Sequence, residues 1–390
     1  MTHRQRILAA CRGEIPDRIP WVPRLDLWYR AHSTAGTLPP EFSGLSLRQI
    51  TDAIGVGYHA VVPDFSDART PDDIVDRGLG IFRLRGMAYE TRLREVEREV
   101  KHEGGVTRVT YRTSVGSVSC AFSFTEEMER AGATISWLDE HVVKRPEECR
   151  VVAHIFSHLE VAPTYDEYRA WDTWVGHAGV AVAYGNGAAS PMQHIMRDLM
   201  SVSEFYLWLY DHPAELQMLA ESMEPWFEQV LSVLAHSPAE ILFWGANYDE
   251  QLTYPPFFEK HILPWLARAT ELAHQHGKLL LTHSDGENAG ILHLYRQAGF
   301  DIADSICPAP MTKLTLAQYL DALPGVTIWG GIPSVALVPE LVPDADFHRL
   351  LADTIALARG RPHLILGIAD TTPANASWER IEKITEALVS

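Results

Sequence analysis

The sequence is poor in cysteine and in basic residues, and it has no long hydrophobic run. Its four cysteines, Cys11, Cys120, Cys149 and Cys307, form no CxxC pair, which argues against a disulfide framework or an all-cysteine zinc module and predicts reduced thiols. Lys and Arg number 33 against 51 Asp and Glu, for a net charge of −18, so we expect neither nucleic acid nor an anionic membrane as a partner. No apolar run approaches the roughly 20 residues of a membrane span, and the polar opening does not resemble a secretory signal. We therefore expect a cytoplasmic protein.

Apolar runs alternate with amphipathic stretches along most of the chain, as in βα units. The 390 residues, 46% of them hydrophobic, suffice for two average domains or for one large barrel. Buried strands are predicted at 19–22, 60–62, 180–184, 241–246, 278–283, 302–306, 326–329 and 364–367. Eight such strands, each followed by helical sequence, predict an α/β fold of the (β/α)8 TIM barrel type, with residues 1–390 as a single domain.

Residues from about 80 to 175 depart from this rhythm. The segments 106–112 and 115–120 alternate between apolar and polar residues, which predicts an antiparallel β-hairpin. We interpret the region as an insertion after the second strand. Helices are predicted at about 213–235, from 258 to a stop at Gly277, and from an Asn288 cap to Gly299.

Polar side chains gather where the predicted strands end, which in a barrel is the catalytic face. The fourth, fifth and eighth strands are followed by Asn247, Tyr248, Asp249, Glu250, His283, Asp285, Glu287 and Asp370, and the other strand ends add Arg24, Asp26, Asp64, Asn186, Asp304, Cys307 and Ser334. A strand-end carboxylate is also a common helix N-cap, and this alternative stays open for Asp285, Glu287 and Asp370. Cys307 is interpreted as a small buried residue, and Arg24 could simply pair with Asp26.

Five segments of the chain together resemble the uroporphyrinogen decarboxylase superfamily. They are RQRILAACRGEIPDRIPWVPR at 4–24, YPPFFEKHILPWLARATELAHQHGKLLLTHSDGE at 254–287, AGFDIADSI at 298–306, TIWGGIPS at 327–334 and LILGIADTTP at 364–373. The resemblance runs in order along nearly the whole chain and is weakest over about 66–175. The superfamily includes the decarboxylase itself and cobalamin-dependent methyltransferases, so the resemblance implies a barrel with one of these activities.

Departures from the family patterns separate its branches. The decarboxylase proper binds a tetrapyrrole with many carboxylates through an arginine-rich opening, whereas this chain reads PRLDLWYR over 23–30. The coenzyme M methyltransferases carry zinc on an HxC motif and a distant cysteine. Here His283 is followed by Asp285, and the distant position falls near Asp370. Carboxylates in place of both thiolates make a harder ligand set, which suits an oxygen-bearing substrate better than a thiol.

The remaining branch resembles the corrinoid-dependent O-demethylases. The resemblance implies transfer of a methyl group from a methoxylated, aromatic substrate to cobalt(I) of cobalamin on a separate corrinoid protein. The leaving oxygen must be neutralised by a Lewis acid or by a proton donor. We assign the catalytic role to His283, Asp285, Glu250 and Asp249, and zinc ligation to His283, Asp285, Glu250 and Asp370. Substrate binding is assigned to Arg24, Trp28, Asn186, Asn247 and Tyr248.

Two alternatives stay open. A carboxy-lyase acting on a small carboxylated substrate would need no metal and would anchor the carboxylate on Arg24 or Arg30. A non-catalytic binding protein would use its strand-end acids as helix caps and would have its pocket packed shut. Relatives in the superfamily make a homodimer the expected assembly.

Overall fold

Strands and helices alternate along the chain in the computed structural model, which describes residues 1–61, 68 and 70–389. Within these residues the strands are β1 (Tyr89–Leu93), β2 (Glu97–Glu103), β3 (Val106–Thr113), β4 (Gly116–Ser123), β5 (Trp137–Glu140), β6 (Leu159–Pro163), β7 (Ala183–Asn186), β8 (Ile241–Ala246), β9 (Leu279–His283), β10 (Ile302–Ile306), β11 (Thr327–Pro333) and β12 (Leu364–Ala369).

The α-helices are α1 (His3–Cys11), α2 (Asp26–Ala35), α3 (Leu47–Ala53), α4 (Glu126–Arg130), α5 (Cys149–Ser157), α6 (Tyr165–Val175), α7 (Pro191–His194), α8 (Val202–Asp211), α9 (Pro213–Ala235), α10 (Pro255–Phe257), α11 (Leu263–Gln275), α12 (Leu292–Ala298), α13 (Leu316–Ala322), α14 (Asp344–Ala358) and α15 (Trp378–Val389). Short 3-10 segments lie at Pro40–Phe42, Pro71–Leu79, Pro146–Glu148, Gly176–Ala178, Ala289–Ile291 and Ser334–Leu337. Two π-helical turns lie at Ile195–Leu199 and Phe258–Ile262.

Six parallel strands form the central sheet, in the order β7-β8-β9-β10-β11-β12. Every residue of β8, β10, β11 and β12 is buried, as expected for strands enclosed on both faces. The bounds of β8 and β10 agree with those predicted, and β9 and β12 differ by no more than two residues at either end. The mixed α/β class is therefore confirmed.

β11 extends further than predicted because two glycines do not interrupt it. The predicted strand ends at Trp329, whereas the observed one continues to Pro333. Gly330 has φ +139°, and a Cβ there would lie 2.8 Å from the carbonyl oxygen of Ile306. The glycine thus permits β10 and β11 to approach closely.

The first two predicted strands are short extended segments at the edges of the sheet. Trp21 forms a parallel bridge with Leu366 of β12. The Gly57 amide donates to the Trp21 carbonyl over 2.9 Å, and the Val182 amide donates to the Ala60 carbonyl over 3.0 Å. Backbone hydrogen bonds therefore connect β12 to the segment at Trp21, that segment to Gly57, and Ala60 to Val182, which directly precedes β7. The end of the second predicted strand lies outside the described residues.

The first half of the chain also carries antiparallel strands. β3 and β4 pair with each other, which confirms the predicted hairpin, and β2 and β5 flank it in the order β2-β3-β4-β5. β1 pairs with β6 in a separate antiparallel ladder. β1 to β6 all lie within 80–175. The bounds of the insertion and the single-domain organisation stay predictions.

The helix predictions agree with α9 and with the ends of α11 and α12. Gly277 and Gly299 follow those two ends with φ of +68° and +73°, the left-handed conformation that terminates helices. Asn288 occupies the N-cap position of the 3-10 segment before α12, as predicted, but its side chain makes no capping bond there: Nδ2 donates to the Tyr248 carbonyl over 2.6 Å. In the described part of the chain, no helix has both the length and the apolarity that a membrane span needs.

Candidate functional site

His283 ends β9 with its imidazole between two carboxylates. Nδ1 lies 2.7 Å from Oδ2 of Asp304, and Nε2 lies 3.1 Å from Oδ1 of Asp370. The parallel register sets Asp304 of β10 directly beside His283, and Asp370 follows the last residue of β12. Burial alone would lower the pKa of His283, but the hydrogen bonds with Asp304 and Asp370 outweigh it and raise that pKa to about 10. In the absence of a metal, the imidazole is therefore held as a cation between two anions.

Arg24 holds Asp370 from the other side. Its Nη1 donates to Oδ1 of Asp370 over 3.0 Å, and its Nε donates to Oδ1 of Asp26 over 3.1 Å. Ser305 Oγ donates to the same Asp370 oxygen over 3.3 Å. Burial opposes ionisation of Asp370, but Arg24 and His283 hold its pKa far below the ordinary range. The guanidinium is thus neutralised by two carboxylates, and the pairing considered for Arg24 and Asp26 is present.

Asp285 completes a group of three potential metal ligands. Each of His283, Asp285 and Asp370 offers one donor atom, and these three atoms lie within 4.8 Å of one another. The Asp304 carboxylate fixes the proton on Nδ1 of His283, as is usual for metal-ligating histidines, whose other nitrogen faces the metal. The 3.1 Å between Nε2 and the Asp370 oxygen is close to the about 3.3 Å that separates two donor atoms at tetrahedral zinc. Imidazole nitrogen and carboxylate oxygen are donors that zinc accepts, so these three residues are the candidate metal ligands.

The other two predicted catalytic carboxylates lie outside this group. Glu250 accepts from the Gly290 amide over 2.6 Å and forms an ion pair with Lys313. Asp249 accepts from the Glu287 amide over 3.2 Å. Both carboxylates therefore bind the loop after β8 to residues of the loops that follow β9 and β10. Glu250 therefore lies outside the group of potential zinc ligands, whereas the catalytic role of Asp249 stays a prediction.

Two predicted substrate-binding aromatics lie in the core. Tyr248 is fully buried, and its hydroxyl lies 2.9 Å from Oγ1 of Thr282. Trp28 is also buried and stacks on Trp378 of α15 with ring centroids 4.8 Å apart. Neither ring is placed to contact a substrate, so the structure corrects both assignments, and both rings contribute to packing.

The two predicted asparagines differ in their surroundings. Asn247 is exposed, and its backbone amide donates to the His283 carbonyl over 3.0 Å. Asn186 is buried, with Nδ2 at 3.3 Å from Nδ1 of His194 and Oδ1 accepting from the Ala188 amide over 3.2 Å. Asn247 therefore stays a candidate for substrate binding, whereas Asn186 holds the turn after β7 and is corrected to a structural residue.

The helix-cap alternative applies to one of the strand-end acids. Glu287 accepts from the backbone amides of Ala289 and Lys313 over 3.0 and 2.8 Å. Asp370 is bound by the side chains described above. Cys307 is buried, and burial raises the pKa of its thiol to about 12, in agreement with its interpretation as a packing residue. Asp64 lies outside the described residues.

Two members of the network have no predicted role. Asp304 is predicted only as a strand-end residue, and the signal for its role is that its strand neighbours that of His283. His59 has no such signal in the sequence, and its Nε2 lies 3.8 Å from Oδ1 of Asp304. Together with Ser305, these residues form the buried support of the site.

A cleft of about 160 Å³ adjoins this network, and its walls include Arg24, Asp26, His59, Arg85 and Trp171. The guanidinium carbon of Arg85 lies 4.4 Å from the ring centroid of Trp171 and 4.3 Å from that of Trp174. Across the described ranges, no carboxylate forms an ion pair with Arg85. The cleft therefore presents a cation backed by aromatic rings.

Comparison with protein-family models and with the sequences of curated proteins gives no match. Among solved structures, a methyltransferase from Methanosarcina mazei is similar over 100% of both chains, with a TM-score of 0.52 and 13% identity. A D-psicose 3-epimerase studied with D-fructose matches 62% of this chain and 82% of its own, with a TM-score of 0.27 and 11% identity, which supports no inference. The first similarity shows a shared fold.

Proposed function

We propose that the chain is a methyltransferase of the O-demethylation type, which moves a methyl group from a methoxylated aromatic compound to the cobalt of a corrinoid protein. The observation that carries the proposal is the buried His283, held between Asp304 and Asp370 with Asp285 close by. The fold shared with the methyltransferase from Methanosarcina mazei supports the reaction class. The sequence resemblance to the uroporphyrinogen decarboxylase superfamily points to its corrinoid-dependent branch.

The same proposal includes a (β/α)8 barrel spanning the chain as one domain. The six parallel strands, together with the segments at 20–22 and 57–60, are linked by backbone hydrogen bonds in a sequence that returns to β7. In such a barrel the carboxyl ends of β9, β10 and β12 face one mouth. This position would bring the network into contact with substrate and partner.

Zinc would be held by Nε2 of His283 and by carboxylate oxygens of Asp285 and Asp370. When bound, it would supply a Lewis acid that polarises the ether oxygen of the substrate. Asp304 would keep Nδ1 of His283 protonated and so keep the ring in its observed orientation.

The chain's own residues account for the charge that develops on the leaving oxygen. As the bond between the methyl carbon and the ether oxygen breaks, the carbon goes to cobalt and the bonding electron pair stays on oxygen. Without zinc, Asp285 would instead be the proton donor to that oxygen, because burial and the nearby Asp370 raise the pKa of its carboxyl group. Arg24 offsets the charge of Asp370, which lowers the repulsion between that carboxylate and the departing phenolate.

The cleft indicates the substrate class within this function. Arg85 has its guanidinium against Trp171 and Trp174, and it can pair with an anionic substituent on an aromatic ring. We assign it as the anchor of a methoxylated aromatic carboxylate. Of the two anchors expected for the carboxy-lyase alternative, Arg24 is already paired with Asp26 and Asp370, whereas Arg30 lines the cleft. The assay below therefore has to separate the two reactions.

Methyl transfer from methoxybenzoates to free cob(I)alamin, followed by the absorbance of methylcobalamin, tests the proposal. We expect transfer by the wild type and a loss of about 100-fold or more in the His283→Ala and Asp370→Asn variants. Glu250→Gln is the matched control, since it neutralises a strand-end acid outside the group and should keep its activity. Release of CO2 from these substrates without methyl transfer would establish the lyase instead, and neither reaction with any methoxybenzoate would reject the proposal.

A further inference from the structure

A second group of potential metal ligands lies away from the His283 network. It consists of Glu95, His154 and His158, whose donor atoms lie within 4.8 Å of one another. His154 belongs to α5 and His158 caps its end, so the spacing of four residues sets both imidazoles on one face of the helix. Their ring centroids are 4.1 Å apart.

The antiparallel ladder of β1 and β6 brings the carboxylate to this pair. Leu93 pairs with Leu159, and the next amide, that of Arg94, donates to the His158 carbonyl over 3.0 Å. Glu95 follows with φ +54°, a left-handed conformation that is uncommon outside glycine and that occurs more often at functional positions. Its Oε2 lies 3.5 Å from Nε2 of His158.

The hydrogen bonds of the two rings leave lone pairs for a metal. Nδ1 of His158 lies 2.7 Å from the His154 carbonyl, so this nitrogen carries the proton and Nε2 is the basic one. Nε2 of His154 is buried and has no hydrogen-bond partner in the part of the chain that the structure describes. A buried polar atom without a partner is costly, and coordination would satisfy it.

We propose that Glu95, His154 and His158 form a second metal site, which takes a divalent transition ion of the zinc class. Two imidazole nitrogens and one carboxylate oxygen suit zinc, copper or nickel better than calcium or magnesium, which prefer all-oxygen sites. The Glu95 side chain is 73% exposed, which leaves room for a water ligand. The bound ion fastens the turn between β1 and β2 to the end of α5.

Zinc titration of EDTA-treated protein in a His283→Ala background tests this site, because that background removes the first one. We expect one equivalent of Zn²⁺ to bind and Co²⁺ to give the visible absorption of a four-coordinate site. Adding His158→Ala should weaken zinc binding by about 100-fold or more, since losing a ligand costs at least as much as the 10- to 100-fold seen for outer-shell partners. Glu95→Gln, which keeps the shape of the side chain, should weaken it in the same direction.

His276→Ala is the matched control. His276 and His236 form another surface pair with ring centroids 4.7 Å apart, but among the described residues they belong to no group of three potential ligands. This variant should bind zinc like the His283→Ala parent, and zinc should raise the melting temperature of both but not that of the His158→Ala variant. No zinc binding by the parent, or equal affinity after His158→Ala, would overturn the proposal.

Discussion

Replacing Asp304 with Asn removes one of the two anions that hold the His283 cation. Asp304 is 1% exposed, and it accepts the His283 Nδ1 proton over 2.7 Å. Asparagine has nearly the same volume and can still accept that hydrogen bond. The substitution therefore changes the charge and leaves the packing of the site almost unaltered.

The expected cost follows from the buried pair. Removing one partner of a buried ion pair costs about 3–5 kcal/mol, and because the amide oxygen keeps a hydrogen bond to His283 we expect about 2–3 kcal/mol near pH 6. The His283 pKa of about 10 lies above its ordinary 6.5. Stabilisation by this cation is therefore complete below pH 6.5 and is lost as the pH rises towards 10. The cost of Asp304→Asn should shrink over the same interval.

Urea denaturation of EDTA-treated wild type and Asp304→Asn, at about pH 6 and again at about pH 9, measures both effects. Asp301→Asn is the control. Asp301 pairs with the half-exposed His274 over 3.0 Å and accepts from the Leu280 amide over 2.7 Å, a bond that asparagine can keep, so we expect a cost of no more than about 1 kcal/mol. Equal stability of Asp304→Asn and wild type at the lower pH would refute the reasoning. A deficit that is the same at both pH values would refute it as well.

Four further substitutions, one of them a control, test the assignments of single residues. Trp28→Phe should lower the free energy of unfolding by about 1–3 kcal/mol and leave KM unchanged, because the ring is in the core; an altered KM at unchanged stability would contradict this. Gly245→Ala should cost more than about 2 kcal/mol in urea denaturation, since its Cβ would lie 2.0 Å from the Tyr248 hydroxyl at φ +79°. Gly277→Ala is the control for Gly245→Ala: with φ +68° and open space around it, it should lower the free energy of unfolding by about 1 kcal/mol. An equal loss of stability in the two variants would argue against the buried position of Tyr248. Arg85→Ala should raise KM for methoxybenzoates by about tenfold or more, as expected from the loss of one anchoring contact of about 1.4 kcal/mol, and should not change KM for uncharged methoxyarenes.

The strands of the second half could be predicted because each is a short and mostly apolar run. β8 is apolar throughout, and β10 has three apolar residues around Asp304 and Ser305; both strands are completely buried. The segments at 20–22 and 57–60 join their neighbours through a few backbone hydrogen bonds, and such short pairings leave little pattern in the sequence. β11 extends beyond the apolar run that predicts it, because Gly330 continues the strand and permits its close approach to β10.

The candidate site could be predicted where strand ends determine position. His283 ends β9, Asp285 follows it and Asp370 follows β12 in the same parallel sheet, and the structure brings the three together. Glu250 could not be placed in this way, because the loop after β8 turns towards Lys313. Trp28 was misassigned because its burial depends on Trp378, which lies near the other end of the chain and leaves no local signal.

Zinc content of protein purified without chelator, measured by mass spectrometry in wild type, His283→Ala and Glu250→Gln, tests most directly whether His283, Asp285 and Asp370 act as one metal centre. We expect His283→Ala to contain about one zinc ion fewer per chain than the wild type, and Glu250→Gln to contain as much as the wild type. Because the proposed site at His158 is intact in all three proteins, a difference in zinc content between His283→Ala and the wild type reports on the His283 site alone. The same zinc content in His283→Ala and wild type would contradict the proposed metal centre.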